Sequence, residues 1–290
     1  MILPAGVEVT YVDKMDLQVP EAGFIGQMAG ENYYHFLTEC LPRLLFLKKA
    51  LPAETFRRLP IIVPGGKASV VQYLALLGIE PRLILRHNET TRIHVSRLHT
   101  VDWRSTDTRP DLQFYAPRVG LQMVRRALRG RLTTETIAGL ARSRPAIVYI
   151  SRNDTSHRHV KNEYAMMRAV AEALPEYDVV THLGGNSTGQ KALELFSRAV
   201  VVVGSHGAGL GNVILCRPGT ALIEFSLPSP QMRYYAHLAV ALDLLYEPLP
   251  WIEKFREDIE VDPAAVSREV KKMVAKAVEG GWKDSVVEAD

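Results

Sequence analysis

Four consecutive valines, Val200 to Val203, run straight into Gly204-Ser205-His206-Gly207-Ala208-Gly209-Leu210-Gly211-Asn212. β-Branched side chains that are apolar on both faces fit a strand buried inside a parallel sheet, not one with a wet face. That strand ends near Gly204. Glycines at 204, 207, 209 and 211 let the backbone turn and approach a ligand without Cβ interference, and residues 210–215 predict the first turns of a helix. A helix start at the carboxyl edge of a sheet presents unpaired N–H groups and the positive end of its dipole, which makes an anion site. Two phosphate loops fail the comparison. Gly204 and Gly209 have the outer spacing of a P-loop, but Leu210-Gly211 stands where Lys-Ser/Thr is required. Residues 207–212 just miss G-x-G-x-x-G and lie two thirds of the way along the chain. Neither a kinase nor a dehydrogenase fits. The glycines alone read equally well as a tight strand-to-helix turn; His206 shifts the balance, since its ring has little to pack against there and two nitrogens to offer a phosphate or sugar.

A chain of 290 residues has room for about two domains of this kind. Its net charge of +3 is mild and its basic residues are dispersed, so no nucleic-acid partner is indicated. Cys40 and Cys216 stand far apart in apolar contexts, which predicts core thiols in a reducing compartment and no disulfide. The first residues carry acids and no basic leader, and no run of about 18 apolar residues occurs. The expectation is a cytoplasmic protein whose association with a membrane is at most peripheral.

Taken in order, residues 7–12 alternate as a first strand and 21–30 form a glycine-bearing turn region. Residues 32–50 carry apolar side chains at helical spacing, with Pro42 as a candidate kink. Strands at 59–63 and 82–85 flank a helix at 69–77, residues 93–103 give one or two further strands, and 116–132 give a basic helix whose arginines face solvent. The pattern loosens between 130 and 145, where a domain boundary is placed. Strands follow at 146–150, 177–181, 199–203 and 221–225, with a candidate edge strand at 244–249. Helices fall at 163–174, 189–197, 232–242 and 263–278. Strands alternating with helices in both halves imply an α/β fold with two doubly wound domains.

Ligands of such sheets bind beyond the carboxyl ends of the strands. Arg152 follows the 146–150 strand, with Arg158 and Asn162 close behind, and guanidinium groups there can fork onto a diphosphate. His206 follows the valine strand, and Glu224 ends the 221–225 strand, able to accept from both hydroxyls of a ribose. Their convergence on one edge favours a nucleotide diphosphate site. No carboxylate pair at metal-ligand spacing accompanies them, so arginines and a helix dipole, not a cation, are expected to hold the phosphates. In the first half, His35 and Glu39 lie four residues apart on the most apolar helix and project from one face. The bland alternative pairs Glu39 with Arg43 and packs His35 among Tyr33, Tyr34 and Phe36.

Asn32-Tyr33-Tyr34-His35-Phe36-Leu37-Thr38-Glu39-Cys40-Leu41-Pro42-Arg43-Leu44, then Tyr149-Ile150-Ser151-Arg152 with Arg158 and Asn162-Glu163, then Gly204 to Leu210 with Asn212 and Gly219 to Glu224, together resemble glycosyltransferase family 61. The resemblance implies a GT-B type fold of two Rossmann-like domains facing a cleft. The acceptor-side domain would span 1–135, the nucleotide-sugar domain 136–250, and a helical segment at 251–290 would cross back to the first. It implies an inverting transferase that moves a sugar from a nucleotide-diphosphate donor, a UDP-sugar among known members, to a hydroxyl of a glycan or polysaccharide; bacterial members look like capsule or exopolysaccharide enzymes. Arg152, Arg158, Asn162, Ser205, His206, Gly207, Ala208, Gly209, Asn212 and Glu224 become donor-binding residues. Glu39 becomes the general base with His35 orienting it, although several relatives carry aspartate at the Glu39 position. No cofactor and no metal are implied. Two other classes share parts of the pattern: a nucleotide-sugar epimerase, and a non-enzymatic glycan- or polyanion-binding module using Arg118 to Arg131.

Overall fold

The computed structural model describes residues 17–27, 29–65, 68–87, 92–101, 115–183, 189–227, 233–254 and 256–282. The strand expected at 7–12 lies outside them. The first sheet holds β1 (Leu17–Phe24), β2 (Ile61–Pro64), β3 (Ile84–His87) and β4 (Ile93–Thr100) in the order β3-β2-β1-β4. The second holds β5 (Ala146–Ser151), β6 (Asp178–Leu183), β7 (Ala199–Ser205), β8 (Ala221–Phe225) and β9 (Leu245–Leu249) in the order β6-β5-β7-β8-β9. Every neighbouring pair is parallel, so the α/β class read from the alternation is what the chain adopts. Each order reverses once, between β1 and β4 in the first sheet and between β5 and β7 in the second. Beyond the carboxyl ends of strands at such reversals the connecting segments diverge and leave a crevice.

The helices are α1 (Tyr33–His35), α2 (Leu41–Ala50), α3 (Ala53–Arg58), α4 (Ala68–Leu76), α5 (Arg118–Arg129), α6 (Thr134–Arg142), α7 (Glu163–Ala173), α8 (Gln190–Ser197), α9 (Tyr234–Ala241) and α10 (Pro263–Glu279). One apolar cluster includes Ile25 and Ile61 of the first half together with Val148, Val202, Leu210 and Leu222 of the second. The opposite face of the second sheet has its own cluster under α7 and α10. β5, β7 and β8 are buried along their whole length, as the valine run required.

Several elements differ from the sequence expectation. Residues expected as a turn belong to β1, where Pro20 and Gly23 read as breakers. Pro20 is tolerated because neither neighbour pairs with it: the ladder with β4 passes from Val19 to Glu21, and β2 meets β1 only at Gly23 and Phe24. Residues 32–50 are not one kinked helix: a π turn, Phe36–Cys40, separates α1 from α2, and Leu41 N–H bonds back to the Phe36 carbonyl. Pro42 can supply no N–H to the Thr38 carbonyl and would crowd it; widening the preceding turn relieves both problems. The stretch expected to loosen holds α6, capped by Thr133, whose Oγ1 accepts from the Thr136 N–H at 3.1 Å. None of its residues is buried, so it lacked an apolar stripe to announce it. The arginines of α5 are not all solvated. Arg125 donates to the Leu242 carbonyl, Arg118 pairs with Asp243 at 2.6 Å, and Arg129 reaches Ser197 and the Leu215 carbonyl. α10 packs on α7, β7 and β8 instead of returning to the first sheet, because Val266, Val270, Met273 and Val274 match the apolar far face of the second.

Residues 208–215 form a long 3-10 stretch, Ala208–Leu215, in place of α-helical turns. Tyr33 Oη donates to Asn212 Oδ1 at 2.6 Å, and Asn212 Nδ2 donates to the Gly209 carbonyl at 2.9 Å. Tyr33 thus ties the segment after β1 to the segment after β7. Tyr33→Phe should leave the amide oxygen of wholly buried Asn212 without a partner and destabilise the fold by about 1–3 kcal/mol. Tyr164→Phe, on a side chain 79% exposed, should be neutral. Equal unfolding midpoints in denaturant for Tyr33→Phe and wild type would remove Tyr33 from this role.

Candidate active site

The segments that leave the two crevice strands supply the site. After β5 the chain passes through Arg152 and returns through Arg158, which holds a positive φ of 62°. Arg152 Nε donates to the His157 carbonyl at 3.0 Å, and Thr155 Oγ1 donates to the Arg152 carbonyl at 2.8 Å, so the loop folds around its own arginine. Arg158 donates from Nη2 to His157 Nε2 at 3.0 Å. Both guanidiniums are mostly buried. Burial holds both below the ordinary arginine value, and Arg152 beside it helps bring Arg158 down to about 10. Two neighbouring buried guanidiniums make a place for an anion.

The loop after β7 meets Arg152 directly. Gly207 is extended, and a Cβ there would run into the Arg152 guanidinium. A Cβ on Gly209 would come within 2.7 Å of Ile150 Cγ2, so this glycine lets the loop cross β5 closely. The turn geometry expected from the glycine spacing therefore has two steric reasons. Ser205 is buried at the end of β7, and its Oγ has no hydrogen-bond partner among the described residues. Ala208 opens the 3-10 stretch, in which the Leu210 N–H bonds back to the Gly207 carbonyl at 3.0 Å.

His206 and Glu224 form a buried dyad, Nδ1 to Oε1 at 2.5 Å. Glu224 Oε2 accepts from Tyr246 Oη, also at 2.5 Å, and the residue is 0% exposed. A carboxylate with both oxygens engaged is not placed to take ribose hydroxyls; it holds His206 through Nδ1 and leaves Nε2 outside the dyad. Burial first, then the adjacent carboxylate, raises Tyr246, so the phenol keeps its proton and donates. Tyr235 Oη donates to the Gly207 carbonyl at 2.5 Å, and its ring stands edge-on to His206 at 5.3 Å.

A second dyad comes from the first half. His35 Nδ1 lies 2.6 Å from Glu39 Oε1; the His35 side chain is 19% exposed and Glu39 is 0%. Desolvation raises the Glu39 carboxyl, opposed by the His35 bond and the charges of His35 and Arg43. Glu39 Oε2 has no hydrogen-bond partner among the described residues. Arg43 Nη1 donates to the Glu39 carbonyl at 3.0 Å and Nε to the Val101 carbonyl at 3.2 Å. Of the pair, the histidine is the more exposed and the carboxylate is enclosed behind it. The Tyr34 ring joins the two dyads, 5.4 Å from His35 and 5.3 Å from Tyr235. Gly211 packs on the backbone of Tyr34, 3.5 Å from its Cα to a Cβ built on the glycine.

Two expected donor ligands are committed elsewhere. Asn162 Nδ2 donates to the Val261 carbonyl at 2.7 Å and its Oδ1 accepts from the Val261 N–H, clamping the chain that leads to α10. Asn212 is wholly buried against Tyr33 and Gly209. Conversely, Tyr235 and Tyr246 had no sequence signal, since their partners lie 28 and 22 residues away with no fixed spacing. Among the described residues no group of three or more histidine, cysteine or acidic side chains could hold a metal ion, and no helix is long and apolar enough to cross a membrane. Cys40 and Cys216 are both free and buried.

A family model described as Glycosyltransferase 61 matches residues 33–223, from Tyr33 before the first dyad to Ile223 beside Glu224. No curated protein matches the chain.

The contact between Gly207 and Arg152 gives a selective test. Gly207→Ala should leave the unfolding midpoint nearly unchanged, because a flexible arginine tip yields to the new methyl, yet lower affinity for a nucleoside diphosphate by about tenfold or more as Arg152 is displaced. Gly139→Ala, with nothing within 4 Å on exposed α6, should leave that affinity alone. Calorimetric affinities that are the same in Gly207→Ala and wild type would separate the loop from the ligand.

Proposed function

The chain belongs to glycosyltransferase family 61, and from that premise we propose that it is an inverting enzyme. It takes a sugar from a nucleotide-diphosphate donor, of the UDP-sugar class, and adds it to a hydroxyl of a glycan or polysaccharide, in the manner of bacterial capsule and exopolysaccharide enzymes. The observation that carries the reading is the meeting of the Arg152 guanidinium with Gly207, beside His206 and Arg158, at the reversal of the second sheet. The diphosphate lies against the two guanidiniums and the first N–H groups after Gly207, with His206 Nε2 toward it. These groups neutralise the leaving phosphate, and the reading assigns no metal to that task.

His35 serves as general base and Glu39 as the group that orients it. The imidazole takes the proton of an acceptor hydroxyl, and the acceptor oxygen attacks the anomeric carbon. The bond to the diphosphate breaks, its electron pair going to the β-phosphate oxygens. Glu39 stabilises the imidazolium that forms and fixes the ring through Nδ1, the role a buried carboxylate plays behind a catalytic histidine. Division into an acceptor side at 1–135, a donor side at 136–250 and a terminal segment at 251–290 in a GT-B arrangement, acting on the cytoplasmic side and peripheral to a membrane at most, belongs to the same proposal. The two sheets with facing crevice segments support it.

Single-turnover transfer and donor calorimetry test these assignments together. His35→Ala should keep the affinity for UDP while turnover falls by about a hundredfold or more, and Glu39→Gln should lower turnover less than His35→Ala. Arg152→Ala should lower UDP affinity itself by about tenfold to a hundredfold. Full activity of His35→Ala with an inactive, folded Glu39→Gln would return the base role to the carboxylate; full activity in both would remove the dyad from catalysis.

A further inference from the structure

The 208–215 stretch that begins at the donor loop ends at Cys216 and Arg217, on the opposite, amino edge of the second sheet. There Thr220 Oγ1 donates to the carbonyl of Ala199, the first residue of β7, at 3.0 Å. Arg217 is 4% exposed. Its Nε is enclosed without a hydrogen-bond partner among the described residues, and no hydrogen bond or ion pair joins its other nitrogens to them. The guanidinium lies over the Trp282 ring, 5.1 Å from the centroid. Trp282 is held in place by its own bond from Nε1 to Thr220 Oγ1 at 3.1 Å. The neighbouring charge is another cation: Arg129, whose Nη1 donates to Ser197 Oγ and the Leu215 carbonyl. Burial, and then Arg129, hold Arg217 down to about 10, with the Cys216 thiol opposing them.

A buried arginine whose Nε is enclosed, with no acceptor among the described residues and a second cation beside it, is unfavourable unless something anionic completes it. The planar fork matches an oxyanion, the Trp282 ring shields one face from water, and two adjacent guanidiniums favour a multiply charged ion over chloride. We propose that Arg217 and Arg129, backed by Trp282, form a second oxyanion site for a phosphate-class ion, separate from the donor crevice. It is independent of the glycosyltransfer reading, since none of its residues takes part in the proposed reaction.

Inorganic phosphate is the probe, titrated against chloride at constant ionic strength. The readout is the thermal unfolding midpoint of the full chain carrying Arg152→Ala, which weakens phosphate binding at the donor crevice. The midpoint should rise by about 2–4 °C near saturation. Adding Arg217→Met, which keeps the apolar stem on Trp282, should abolish that rise while leaving the midpoint in chloride unchanged or higher, as expected when an uncompensated buried charge is removed. Adding Arg217→Lys instead, which keeps a charge but loses the fork, should retain a reduced rise and serves if the Met variant does not fold. A phosphate response of the same size in Arg217→Met and its parent would overturn the proposal, as would no response in the parent. The sequence continues beyond Trp282 with Asp284, Glu288 and Asp290. A phosphate response seen only after these are changed to Asn, Gln and Asn would assign the guanidiniums to the chain's own carboxylates and overturn a free-ion site. A failure here would leave UDP binding at Arg152 intact, so the two accounts fail separately.

Discussion

The docking of the segment Tyr33–Cys40 onto the stretch Ala208–Leu215 is the contact on which the site depends. Each segment leaves a strand at the reversal of its own sheet, and each would be an ordinary loop-to-helix transition by itself. Tyr33 bonds Asn212, Tyr34 packs on Gly211, and the Tyr34 ring reaches Tyr235, which in turn fixes the Gly207 carbonyl. Buried hydrogen bonds of this kind allow few alternatives, because any partner that moves leaves an unsatisfied polar atom. The two histidines are therefore set relative to each other through packed rings and bonded amides instead of through mobile loops.

Both histidines are held in the same way, through Nδ1 by a glutamate that is wholly buried. Burying a carboxylate is unfavourable unless it is bonded, and the two sites meet this differently. Glu224 has both oxygens engaged, by His206 and Tyr246, whereas Glu39 has Oε2 without a hydrogen-bond partner among the described residues. The first arrangement is a closed support for a ring beside two arginines. The second keeps a carboxyl whose proton affinity burial has raised behind an outward-facing imidazole, which suits a ring that must gain and lose a proton.

Much of this was legible where local rules decide the outcome. The valine run specified a doubly buried strand and β7 is one; the glycines specified a close crossing, and Ile150 and Arg152 are what they make room for. The spacing of His35 and Glu39 brought them together even though the turn between them is π, because one face of the helix is preserved across that interval. Legibility ended where a partner is distant in sequence. Tyr246 behind Glu224 and Val261 on Asn162 obey no spacing, so a ribose ligand and a phosphate ligand were expected where the fold has a support and a clamp. β1 was hidden for a different reason: Pro20 and Gly23 are breakers by propensity, but Pro20 sits outside the paired positions of the strand and Gly23 makes room for the Leu47, Leu59 and Ile61 side chains.

A crystal structure of the chain with a nucleoside diphosphate bound tests the central claim most directly. The account predicts both phosphates against Arg152, Arg158 and the backbone after Gly207, His206 Nε2 toward them, and His35 facing the open side of the terminal phosphate. A diphosphate seated away from Arg152, or one whose terminal phosphate faces away from His35, would contradict it.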